Sequence, residues 1–155
     1  MKLKNLTTQI LSSSVIKIHY KRPLFDSMTH ITRSRDAMAV LRNYADPDSI
    51  DLKEHFYVLM LSNANRLLGV SLISIGATAG VCVGLKEILQ LALITNSTGI
   101  IIAHNHPSGT LMPSQSDCEM TERIKEGLSL VDINLLDHLV FTSDGYTSFA
   151  DNGYL

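Results

Sequence analysis

Short apolar runs alternate with amphipathic stretches along the chain, and the period of each one predicts its element. Gly99-Ile100-Ile101-Ile102-Ala103 is β-branched and bounded by turn residues, the pattern of a buried strand. Lys53 to Ser62 predicts another. There Glu54, Phe56, Val58 and Met60 share one face, and His55, Tyr57, Leu59 and Leu61 share the other. Both faces are largely apolar, as in a central strand covered on both sides. Asn63-Ala64-Asn65 turns the chain into a strand over Arg66 to Ser74, so 53–74 reads as a hairpin. Ile133 to Thr142 forms a further strand, and Asp144-Gly145 turns it into Tyr146-Thr147-Ser148-Phe149. Val15 to Tyr20 alternates loosely, which suits an edge strand.

Three stretches carry the helical period. From Ser34, which can cap it, the residues Ala37, Val40, Leu41 and Tyr44 mark one face, and Asp46-Pro47-Asp48 stops it. A second helix runs from Leu85 to Thr95 on Leu85, Ile88, Leu89 and Ala92. A third begins after Ser114, where Asp117, Thr121, Ile124 and Leu128 fall on one face; Gly127 weakens its end. Gly76 to Gly80 is a flexible connection without phosphate-binding spacing. The order predicts a mixed α/β fold, a central mixed sheet flanked by helices.

Composition narrows the function classes. With 155 residues, 45% hydrophobic and 18% charged, the chain suits one globular domain. A net charge of −2 argues against bulk attachment to DNA, whose phosphates call for a basic face. No run is long and apolar enough for a spanning helix, and Asn5, Thr7, Thr8 and Gln9 interrupt any leader-like segment. A cytoplasmic location with no membrane partner is the expectation. Cys82 and Cys118 lack a C-x-x-C spacing and build neither a disulfide framework nor a thiolate zinc site.

The chemistry gathers after the Gly99 strand. His104 and His106 stand at i and i+2, so an extended backbone projects both imidazoles from one face. Pro107-Ser108-Gly109 then turns the chain. Asp117 falls in the first turn of the following helix, at the inward end of its apolar stripe. Two imidazoles, a carboxylate and water form the ligand set of a catalytic zinc site. A second reading is a capping box, Ser114-x-x-Asp117, with Asp117 tied to backbone N–H groups. The stripe favours the metal, because an inward carboxylate needs a cation or several hydrogen bonds. His19 and His30 have no partner at ligand spacing. Glu54, taken alone, is a solvated carboxylate at a strand mouth. Asp137 and His138 are adjacent in a strand, so they face opposite sides and form no dyad; a structural hydrogen-bonding role is expected, with support of the metal as the alternative.

His104-x-His106-Pro107 with Ser114-x-x-Asp117 resembles the signature of the JAMM (MPN-plus) metalloprotease superfamily. His104-Asn105-His106-Pro107-Ser108-Gly109, Pro113-Ser114 and Leu136-Asp137-His138-Leu139 resemble its bacterial RadC-like branch. The resemblance runs from about Asp51 to the C-terminus. It implies the JAMM-type fold related to the cytidine deaminases, over 34–155, behind an N-terminal extension, 1–33. Longer members of that branch carry a helical DNA-binding-type region, and the expectation is that 1–33 has no room for a full one. The resemblance implies zinc on His104, His106 and Asp117, with Glu54 as the base toward a zinc-activated water and Ser114 as a donor to the oxyanion. The expected activity is hydrolysis of an amide bond in a protein or peptide substrate. The competing class is a DNA-repair or mobile-element-associated binding protein with structural zinc. Nucleobase deamination is excluded, since H-x-E and P-C-x-x-C are both missing. Substrate and oligomeric state are not legible.

Overall fold

A computed structural model describes residues 19–76 and 83–155. Five strands form one sheet: β1 His55–Leu61, β2 Leu67–Ile75, β3 Gly99–Asn105, β4 Asn134–Phe141 and β5 Tyr146–Ser148, in the order β2-β1-β3-β4-β5. Among the described residues four α-helices accompany it: α1 Ser34–Tyr44, α2 Leu85–Ile94, α3 Gln115–Ser129 and α4 Phe149–Asn152. All neighbours pair antiparallel except β3 and β4. A parallel pair needs a long crossover, and α3 provides it. The result is the mixed α/β architecture that the periodicities predict, consistent with a JAB/MPN-type fold.

The central strands explain why the sheet is covered on both faces. Every residue of β1 and of β3 is buried. Phe56, Val58, Met60, Ile100 and Ile102 pack with Ile88, Ala92, Ile124 and Leu128 of α2 and α3. Tyr57, Leu59, Leu61, Ile101 and Ala103 pack on the other side with Ala37, Met38 and Leu41 of α1. The face assignments along β1 therefore hold, as does the 53–74 hairpin. The stripe along α3 holds too, with Asp117, Thr121, Ile124 and Leu128 all buried.

Several expectations are corrected. The β1 ladder begins at His55, so Glu54 sits just ahead of it. Ser34 does not cap α1; its hydroxyl bonds Tyr146 and Asp151, while the Asp36 carboxylate accepts from the Thr32 and Arg33 amides. Those bonds hold the Asp36 carboxyl below the usual carboxylate range. Tyr44 ends α1 on the predicted face, with its ring edge against Tyr57, but is itself half exposed. Phe149 starts a helix and does not extend β5, because Ser148 caps it through the Asp151 amide. Most of the Val15–Tyr20 strand, and residues 77–80 of the glycine-rich connection, lie outside the described residues. His19 and Tyr20 are in no strand.

One irregularity matters for the site. Ile100 pairs with Leu135, but Ile101 pairs with Asp137, so Leu136 is an extra residue in β4. Leu135 packs on the α2–α3 side, whereas Leu139 and Phe141 pack on the α1 side. The bulge has flipped the alternation and brings His138 to the same face as Leu135 and His104. Bulges re-aim side chains in this way. Gly99 faces the bulge, and a Cβ there would lie 2.5 Å from Leu136 Cδ1.

Candidate metal centre

His104 is the penultimate residue of β3, on the α3 side, and His106 follows just beyond the strand with its amide on the Phe141 carbonyl. Their rings meet, Nε2 to Nε2, at 2.9 Å. Asp117, held by the first turn of α3, completes the group: Oδ1 lies 3.3 Å from His104 Nε2 and Oδ2 lies 3.6 Å from His106 Nε2. Among the described residues these three form the one His/Cys/Asp/Glu group arranged to hold a metal, with donor atoms all within 4.8 Å of one another.

Hydrogen bonds orient both rings. His106 Nδ1 faces the Thr110 carbonyl at 2.9 Å, and a carbonyl only accepts. The proton is therefore on Nδ1, and the Nε2 lone pair points into the group. His104 Nδ1 lies 2.8 Å from His138 Nε2, and His138 Nδ1 lies 2.7 Å from Thr121 Oγ1. The Thr121 hydroxyl donates to the Asp117 carbonyl at 2.6 Å. One assignment satisfies the whole chain: His104 Nδ1–H donates to His138, His138 Nδ1–H donates to Thr121, and His104 Nε2 stays free as a ligand. His138 is fully buried and stacks on Phe149 with ring centroids 4.5 Å apart. Burial first, and the neighbouring His104 second, push its pKa well down, so it stays neutral.

The capping reading and the ligand reading of Asp117 both describe this structure. The Ser114 amide and hydroxyl donate to Oδ2, each at 2.7 Å, while the Asp117 amide donates back to Ser114 Oγ at 3.2 Å. Burial alone would raise the Asp117 pKa; in the absence of an ion, protons on His104 and His106 Nε2 donate to the carboxylate, and with the Ser114 bond they outweigh burial and hold the carboxyl well below the usual range. The bond to Asp117 raises the pKa of His106 against burial, helped by the Thr110 carbonyl and the charges of Asp117 and Glu54.

Two inward lone pairs beside a carboxylate repel unless a proton or a cation sits among them. A tetrahedral zinc at about 2.0–2.1 Å from each donor spaces the donors about 3.3–3.4 Å apart. The observed 2.9, 3.3 and 3.6 Å differ from that by a few tenths of an ångström, which small ring rotations absorb. The donor set fits a divalent ion.

Glu54 approaches from β1. Glu54 immediately precedes β1, whose Phe56 pairs with His104. Glu54 and His106 line a cleft of about 390 Å³ with Asp51, Leu52, Lys53, Pro107 and Ser108. The Ser114 hydroxyl is committed to Asp117 and sits within 2.8 Å of Ser116 Oγ. His55 points to the far face, toward Ser49. Asp137 is turned away from the histidines: it accepts from Ser148 Oγ and from the Ala150 amide, which anchors α4 to β4. Burial raises its pKa, although those bonds oppose the shift. Its neighbour His138 is thus the member of the pair that meets the ligands. Sequence reasoning gave Thr121 only a place on the apolar face and left the support role of His138 as the alternative.

The family model described as RadC-like JAB domain matches residues 31–154. A UPF0758 protein of Flavobacterium johnsoniae is 40% identical over 124 residues, which are 79% of this chain and 52% of the relative. A UPF0758 protein of Cellvibrio japonicus is 39% identical over 139 residues, 89% of this chain and 59% of its own. One from Vibrio cholerae is 44% identical over 103 residues, 66% of this chain and 65% of its own. The chain thus spans between half and two thirds of these curated relatives. With the match covering the whole sheet and the His–His–Asp group within it, this chain belongs to the RadC-like JAB domain family.

Proposed function

We propose that the protein is a zinc-dependent hydrolase of the JAMM metallopeptidase type, acting on a peptide or isopeptide amide bond. The observation that carries the reading is the convergence of His104 Nε2, His106 Nε2 and the Asp117 carboxylate, with Glu54 lining the same cleft as His106. His104, His106 and Asp117 would hold the ion. When bound, zinc acidifies a water and polarises a carbonyl. The chain's own residues do the rest. Glu54, at the cleft, takes the proton from the attacking water and returns it to the departing amine; acid–base help of this kind is worth roughly 10²–10⁴-fold. His138 and Thr121 keep the His104 Nε2 lone pair aimed inward. Ser114 turns its hydroxyl from Asp117 toward the developing oxyanion.

The test is cleavage of a panel of fluorogenic peptide and isopeptide amides by the zinc-loaded protein. Release that stops with chelator, returns with zinc and is lost in Glu54→Gln is expected. Activity indifferent to chelator or to Glu54→Gln would remove the proposal. So would a protein that cleaves nothing but binds DNA, with the salt dependence of phosphate contacts, whether or not zinc is present.

A further inference from the structure

Asn105 stands between the two histidines and points away from them. It is fully buried, and its amide makes three hydrogen bonds, all to one segment. Oδ1 accepts from the His55 amide at 2.7 Å; Nδ2 donates to the Ile50 carbonyl at 2.6 Å and to the Lys53 carbonyl at 2.8 Å. A flipped amide would face one N–H with its own N–H and two carbonyls with its oxygen, so only this orientation is satisfied. The Lys53 carbonyl and the His55 amide belong to the two peptide groups that flank Glu54. One side chain therefore grips both peptide planes of the glutamate.

The segment needs that grip. Glu54 precedes the β1 ladder, and residues 46–53 are turns closed by local bonds such as Leu52 N–H to the Ser49 carbonyl. On the other side, the Gly76 amide donates to the Glu54 carbonyl at 2.8 Å. We propose that Asn105 is a positioning residue for Glu54: the strand that carries both histidines also fixes, through this amide, where the glutamate backbone stands relative to them. The role of Glu54 rests on the hydrolase reading above; the clamp itself does not.

The experiment uses full-length protein labelled with carboxyl-¹³C glutamate and loaded with cobalt(II), a paramagnetic probe of distance from the site. The Glu54 resonance is identified by its loss in Glu54→Gln. Asn105→Ala removes the clamp. Asn105→Asp keeps the shape and the acceptor for His55 but turns oxygen toward two carbonyls, and it serves if the alanine variant does not fold. In either variant cobalt is expected to bind one per chain. The paramagnetic shift of the Glu54 carboxyl should change while the ligand histidine resonances stay put. Amide exchange at His55 should speed up by about tenfold or more relative to Ile101 and Ile102. An unmoved Glu54 resonance, or faster exchange spread evenly over β1 and β3, overturns the proposal, because a merely structural asparagine would loosen the sheet without shifting the glutamate. Failure of the wild-type protein to bind cobalt would sink the hydrolase reading instead, and His55 exchange would still decide the clamp.

Discussion

Thr121→Val tests the chain of bonds behind the ligands. Valine keeps the shape of threonine on α3 but removes the acceptor 2.7 Å from His138 Nδ1. His138 is fully buried, so no solvent replaces the lost partner. Two responses are open. If His138 keeps its proton on Nδ1, the N–H is left unsatisfied, at a cost of about 1–3 kcal/mol in folding stability. If the proton moves to Nε2, His138 donates to His104 Nδ1, and the His104 proton shifts to Nε2, where it blocks the ligand lone pair. The second route weakens the metal site, and loss of such a support typically costs about 10–100-fold in metal affinity. Urea unfolding of the chelated protein reads the first quantity, and competition against a zinc indicator reads the second. The double variant with His138→Phe should lose less than the sum of the two single changes, because both act through one bond. Unchanged stability together with unchanged zinc affinity in Thr121→Val would refute the chain.

Three further outcomes follow from the same geometry. His106→Ala and Asp117→Ala should lose zinc while Glu54→Gln keeps it, read by elemental analysis of the purified variants; equal zinc in all three would contradict the ligand assignment. Ser114→Ala removes a helix cap, so it should cost about 1 kcal/mol of stability yet retain zinc through the remaining Ser114 amide bond to Asp117. Zinc affinity should fall with pH: the His106 pKa is raised, so below it a proton occupies Nε2 and must leave before the ion binds, contributing a factor of about ten per pH unit. Asp117, with its pKa held down, stays ionised there and adds nothing to the slope. A zinc affinity flat from neutral to acidic pH would contradict the assignment of His106.

Much of this was legible because local patterns and global packing agree. The Gly99–Ala103 run gives a buried strand, and the two-residue period then puts His104 and His106 on one face. The α3 stripe carries Asp117 inward for the same reason that it carries Ile124 and Leu128 inward. What was not legible depends on where elements pair. Alternation from Ile133 and Leu135 would put His138 on the α1 side; only the extra Leu136, a register shift against β3, turns it to His104. Asn105 reads as a spacer until the turns at 46–53 are seen folded onto it. The role of Ser34 was hidden for a related reason. A serine at a helix start is an ordinary cap, and its competing partners, Tyr146 and Asp151, come from the far end of the chain.

X-ray absorption at the zinc edge, on protein loaded with one equivalent of zinc, addresses the central claim most directly. Two imidazole nitrogens at about 2.0–2.1 Å, one carboxylate oxygen and one exchangeable light ligand are the expected shell. A shell with a sulfur, a fourth protein donor, or a spectrum unchanged in Asp117→Ala would contradict it.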